Sequence, residues 1–140
     1  MKIKEFTIMW LFILAFSTFT ILSCNKETAT TPTDVMNTLL TNKSWYLDYS
    51  ITGTSSKSYV GQSTFMVTYY KDGRTEDSDG LKGTYTVEIV NNQSQIHVQV
   101  KTPSGNPLEV IYNILSVGDN KLALSKVVTG TPTQLYFTNK

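Results

Sequence analysis

A chain of 140 residues with 12 basic and 11 acidic side chains is short enough for one ordinary domain at most, and its formal net charge of +1 offers no basic field to draw in nucleic acid. One cysteine and one histidine exclude a disulfide framework within the chain and leave a Cys/His metal cluster without enough ligands.

The first segment opens on Lys2 and Lys4 and continues as an uncharged run of seventeen residues, Phe6 to Leu22, rich in Ile, Leu, Phe, Met and Trp. A basic start followed by an apolar stretch and small residues is the pattern of an export signal. Seventeen residues stand at the lower limit for crossing a hydrocarbon layer of about 30 Å, so a retained spanning helix is the alternative. The segment Ile21-Leu22-Ser23-Cys24 resembles the lipobox of bacterial lipoproteins, with an aliphatic residue three before the cysteine and a small residue just before it. Leu22 is bulkier than the residue usual at its place. The resemblance implies cleavage before Cys24, giving a signal peptide over 1–23, and a thioether-linked diacylglycerol on Cys24 with an acyl chain on its new amino group. Two or more chains hold a protein stably to a membrane where one does not. No cofactor beyond this covalent lipid is expected. Asn25 after the cysteine, in place of an Asp that would resemble an inner-membrane retention signal, points to the outer membrane of the cell envelope, with the periplasmic and surface faces both open. Removing the signal takes away Lys2, Lys4 and Glu5 and leaves ten basic and ten acidic residues.

Residues 24–33 are polar, with no aliphatic side chain larger than Ala, and read as a flexible tether. Thr33 or Asp34 is placed to cap a short helix whose apolar residues Val35, Met36, Leu39 and Leu40 recur at helical spacing, ending near Thr41-Asn42. From there the period becomes two. Trp45, Leu47, Tyr49 and Ile51 alternate with polar residues, and the same alternation returns around Phe65–Tyr69, Tyr85–Ile89, Ile96–Val100, Leu108–Ile114, Leu122–Leu124 and Leu135–Phe137. Turn residues separate these runs: Asp72-Gly73, Asp79-Gly80, Asn91-Asn92, Gly105-Asn106, Gly118-Asp119-Asn120 and Gly130-Thr131-Pro132. Asp72-Gly73 suits a two-residue hairpin, in which both central residues need positive φ.

The expected fold over 34–140 is therefore all-β: an antiparallel up-and-down meander of seven or eight strands, closed as a small barrel so that no long edge stays exposed. Several short segments resemble the lipocalin-like domain of many Bacteroidetes lipoproteins. They are Leu39-Leu40, Lys43-Ser44-Trp45, Tyr70-Lys71-Asp72-Gly73, Gly83-Thr84-Tyr85, Leu122-Ala123-Leu124 and Tyr136-Phe137. Asn42 stands near the place of that family's usual Gly, and Asn tolerates the left-handed conformation better than other side chains.

No catalytic set is evident, and no enzyme is expected. His97 falls opposite Ile96 and Val98 in the alternation, which places it outward on a strand. The cluster Glu76-Asp77-Ser78-Asp79-Gly80 lacks the distal Glu and the spacing of a helix-loop-helix calcium loop, and reads as a solvated hairpin end. Asp48, Glu88 and Glu109 belong to different strands, so the sequence pairs no two carboxylates for acid/base work. Trp45, Tyr49, Phe65, Tyr69, Tyr85, Tyr112 and Phe137 fall in phase with the inner face, whereas Tyr46 and Tyr70 fall outside. An eight-stranded barrel is either filled by side chains or holds one small ligand, and so many large inward rings favour the filled version. If it is hollow, Trp45, Tyr49, Tyr69, Tyr85 and Tyr112 are the candidate ligand contacts. Two functions stay open: a binding module for a small hydrophobic ligand, or an accessory subunit of an envelope assembly that binds protein partners through its outer surface.

Overall fold

The computed structural model describes residues 30–62, 65–102, 104–128 and 130–140. The signal segment, Cys24 and all of the tether before Thr30 lie outside the described residues.

The helix α1 spans Pro32–Leu40 and is capped by Thr31, earlier than Thr33 or Asp34. The Thr31 hydroxyl accepts from the Asp34 backbone N–H at 3.2 Å while the Asp34 carboxylate accepts from the Thr31 N–H at 3.1 Å, and Pro32 occupies the first turn, where its missing donor costs nothing. Two residues expected in the tether, Pro32 and Thr33, are thus helical.

Nine strands follow: β1 (Lys43–Thr52), β2 (Ser55–Ser58), β3 (Met66–Tyr69), β4 (Arg74–Asp77), β5 (Lys82–Val90), β6 (Gln93–Lys101), β7 (Pro107–Val117), β8 (Lys121–Val128) and β9 (Thr131–Asn139). Each of β3 to β8 pairs antiparallel with the next, β1 pairs with β3, and β9 returns to β1 from Trp45↔Asn139 to Thr52↔Thr133. The result is a closed eight-stranded antiparallel barrel, with β2 as a short flap hydrogen-bonded to the far end of β1. Closure removes the unpaired edges that an open meander would present.

Asn42 takes φ 59 and its N–H reaches the Tyr69 carbonyl at 3.0 Å, so asparagine does make the left-handed step into β1. At β5–β6 it is Asn91 (φ 51) and Asn92 (φ 62) that form the two-residue hairpin with both φ positive. The Asp72-Gly73 hairpin is instead a three-residue connection: the Tyr70 N–H meets the Arg74 carbonyl at 2.8 Å, and only Gly73 has positive φ, at 84°.

The inner face carries Trp45, Leu47, Val67, Tyr69, Tyr85, Val87, Ile96, Ile114, Leu122, Leu124 and Phe137, all buried. α1 lies across one end. Leu40 is fully buried there, and its carbonyl, one of those a helix C-terminus leaves without an intrahelical partner, accepts from the Trp45 indole N–H at 2.9 Å. At the opposite end are the β4–β5, β6–β7 and β8–β9 turns, and no helix covers them among the described residues.

Candidate functional site: a cavity at the open end of the barrel

The barrel is filled at the helix end and hollow at the other. Beneath the uncovered turns lies a cavity of about 150 Å³, walled by Phe65 and Val67, by Tyr69, by Val98 and Val100, by Leu108, Val110 and Tyr112, and by Leu124, Leu135 and Phe137, with Leu81 at its rim. Every strand of the ring contributes a wall except β1 and β5. The polar lining residues are Thr75 and Asp77. The Thr75 hydroxyl donates to the Thr68 carbonyl at 3.1 Å, and one Asp77 oxygen accepts from the N–H groups of Asp79 and Leu81, each at 3.0 Å. The Thr75 hydroxyl and that one Asp77 oxygen are thus engaged in holding the barrel itself, and most of the wall is apolar. Lys126, in phase with Leu122 and Leu124, stands with its ammonium 5.9 Å from the Tyr112 ring centre, so one charge of each sign flanks the opening.

The five aromatic residues expected to touch a ligand divide. Tyr69 and Tyr112 line the cavity. Trp45 does not, because it is fully buried at the helix end under Leu40. Tyr85 packs edge-on against Tyr69, with ring centres 5.0 Å apart, and its hydroxyl donates to the Tyr70 carbonyl at 2.9 Å, so it stands behind Tyr69 toward the β3–β4 turn and does not line the cavity. Tyr49 is on the outside. A bulge between Leu47 and Tyr49 shifts the register against β9 by one residue, and the side chain that the alternation sends inward emerges 40% exposed, stacked on Tyr136 at 4.4 Å between ring centres. The wall residues that sequence reasoning passed over, Val98, Val100, Leu108, Val110 and Leu135, all sit on inward positions of the expected strands. Alternation gave their face, but only the position of the helix decides which end is empty.

Burial pushes the Tyr69 phenol far above its ordinary range, with Tyr112 and Tyr85 adding to the effect. Tyr85 and Tyr112 are raised in the same direction, by burial first and then by the carboxylates of Asp72 and Asp77 respectively. In the unfolded chain a phenol ionises near pH 10. Below that value both states keep the proton and the stability is fully present. Above it the unfolded chain releases protons that the folded barrel retains, so stability falls as pH rises. Denaturant midpoints measured from pH 8 to pH 11 are expected to drop steeply above about pH 10, and Tyr69→Phe to flatten that limb.

The other titratable and aromatic candidates raised by the sequence are engaged elsewhere. His97 stands half-buried on the outer face between Gln95 (3.3 Å) and Glu109 (3.5 Å). Glu76 pairs with Lys82 at 3.3 Å, Asp48 accepts from the Thr138 hydroxyl, and Glu88 accepts from Thr86 at 3.4 Å. Tyr46 and Tyr70 each carry a cation over the ring, Lys140 at 5.3 Å and Arg74 at 5.0 Å. Among the described residues no group of three or more His, Cys, Asp or Glu side chains converges as a metal site, and no helix is long and apolar enough to cross a membrane. The chain matches no protein-family model, no curated protein and no solved structure.

Proposed function

We propose that this protein is a lipid-anchored envelope binding module, without catalytic activity, that takes a small uncharged apolar guest into the open end of its barrel. The observation that carries the reading is the apolar cavity at the uncovered end. Its size sets the class of guest. A cavity of about 150 Å³ with aliphatic and aromatic walls accepts a benzene-sized molecule, whereas pockets for larger ligands run from about 300 Å³ upward. The guest is therefore a single ring or a short alkyl chain. The two flanking charges cancel and select neither anion nor cation. The anchor in this reading rests on the resemblance of Ile21-Leu22-Ser23-Cys24 to a lipobox.

Toluene and butylbenzene are the probes to use. At a concentration ten times the dissociation constant, a guest that binds only the folded state adds about 1.4 kcal/mol, a shift of several degrees in the melting temperature of a domain this small. The Val110→Phe variant, which places a ring in the cavity, is expected to fold and to lose this shift. If toluene leaves the melting temperature of the wild-type protein unchanged at saturation in water, or Val110→Phe responds as the wild type does, the binding reading fails and the outer surface becomes the place to look for function.

A further inference from the structure

The outer surface has apolar side chains at both ends of the barrel, but at the helix end they surround the point where the chain enters. Val35 on α1 is 46% exposed, Ile89 near the end of β5 is 46% exposed, and Leu115, outward in the β7 alternation at the bulge between Ile114 and Ser116, is 47% exposed. Between α1 and the end of β7 runs a groove of about 540 Å³ whose apolar walls, Val35, Met36, Leu39 and Leu115 among them, are joined by the uncharged polar residues Asn92, Gln93, Ser94 and Ser116, and none of its lining residues is charged. Scattered apolar residues are ordinary on a protein surface. Of the exposed large apolar residues, Val35, Ile89, Val90 and Leu115 stand together at this end, beside an uncharged groove.

The length of chain before the helix adds the direction. From Cys24 to Thr31 there are seven residue steps, which span about 25 Å at full stretch. The strands of nine to eleven residues, tilted as closure requires, make a barrel roughly 25 Å tall. A pose with the cavity facing the lipid would need the tether pulled straight along the whole wall, with the loss of nearly all its conformational freedom. With the helix end toward the lipid, none of that length is needed.

We infer that the helix end of the barrel is a membrane-contact face. Val35, Ile89 and Leu115 seat in the interfacial layer of a bilayer, and the cavity consequently opens away from the lipid and toward the aqueous compartment. The inference rests on the proposed membrane anchorage at Cys24, and it deepens the binding reading: guests are collected from solution and not extracted from the bilayer.

Leu115 and Ser104 mark the two ends for testing this. Leu115 is 47% exposed near the end of β7, and Ser104 is exposed in the β6–β7 turn at the opposite end, outside the cavity lining. The full chain, lipidated in cells, is reconstituted into phosphatidylcholine vesicles carrying nitroxide groups on the acyl chains. Leu115→Cys, Ser104→Cys and Val35→Cys variants each carry a fluorophore on the new cysteine, Cys24 being capped by its thioether. Fluorophores at 115 and 35 are expected to be quenched several-fold more than one at 104. Equal quenching at the two ends, or stronger quenching at 104, overturns the contact face while leaving the anchor intact. Flotation separates the two ideas: a full chain that does not float with vesicles removes the anchor and the contact face together.

Discussion

Trp45→Ala is expected to lower the unfolding free energy by about 4 kcal/mol, enough to bring a small domain close to the limit of stability. The indole is fully buried at the filled end of the barrel, so its removal leaves a void that neighbouring strands, tied by their ladders, collapse into only in part. A second loss accompanies the first. The Leu40 carbonyl at the end of α1 accepts from the indole N–H, and without it stands buried with no equivalent donor from residue 45, at a cost of about 1–3 kcal/mol within that total. Trp45→Phe separates the two contributions, because it keeps most of the apolar volume and loses only the donor. Urea denaturation at 25 °C is expected to rank the proteins wild type, Trp45→Phe, Trp45→Ala in falling midpoint. A midpoint for Trp45→Ala within error of the wild type would show that α1 does not depend on the indole for its seat.

Gly83→Ala is the second large effect, and its cause is contact rather than φ. A β-carbon at position 83 would stand 2.2 Å from the Gln99 carbonyl oxygen and 2.8 Å from Val100 Cγ1. Gly83 pairs with Val100 on one side and with Thr75 on the other, so β5 cannot move away from β6 without closing on β4. Because the obstacle is backbone, relief means parting the ladder, and a loss of about 3 kcal/mol is expected, the upper end for an added methyl group in a packed interior. The cavity should suffer with the fold, since Val100 is part of its wall. Gly80→Ala provides the contrast. It has φ +80 but nothing within 4 Å of the added carbon, so it carries only the left-handed strain of about 1–2 kcal/mol and should leave guest binding unchanged. If Gly80→Ala proves as damaging as Gly83→Ala, close approach is not the reason for glycine at 83.

Much of this architecture was legible because inward residues recur at every second position from Trp45 to Phe137, and because Asn and Gly mark the hairpins. Two strands carry no such signal. β4 is Arg-Thr-Glu-Asp and β2 is Ser-Ser-Lys-Ser, and they are strands only because neighbouring edges need partners. The Thr31 cap could have been found from its spacing to Asp34, since a hydroxyl three residues before a carboxylate is the reciprocal pattern of a helix start. Tyr49 could not. A one-residue bulge leaves no mark in an alternating run, yet it turns a tyrosine from the core to the surface. The cavity lies between these cases: its walls follow from alternation, while its place follows from a helix that fills one end and leaves the other.

Methyl-resolved NMR titration of the protein with toluene tests residue by residue whether this empty end receives a guest. Saturable shifts are expected at Val98, Val100, Leu108, Val110, Leu124 and Leu135, which wall the cavity, with little change at Leu40, Ile96 and Leu122 in the filled end. Shifts that never saturate, or that centre on Val35 and Leu39 in the groove beside α1, would contradict binding at that end.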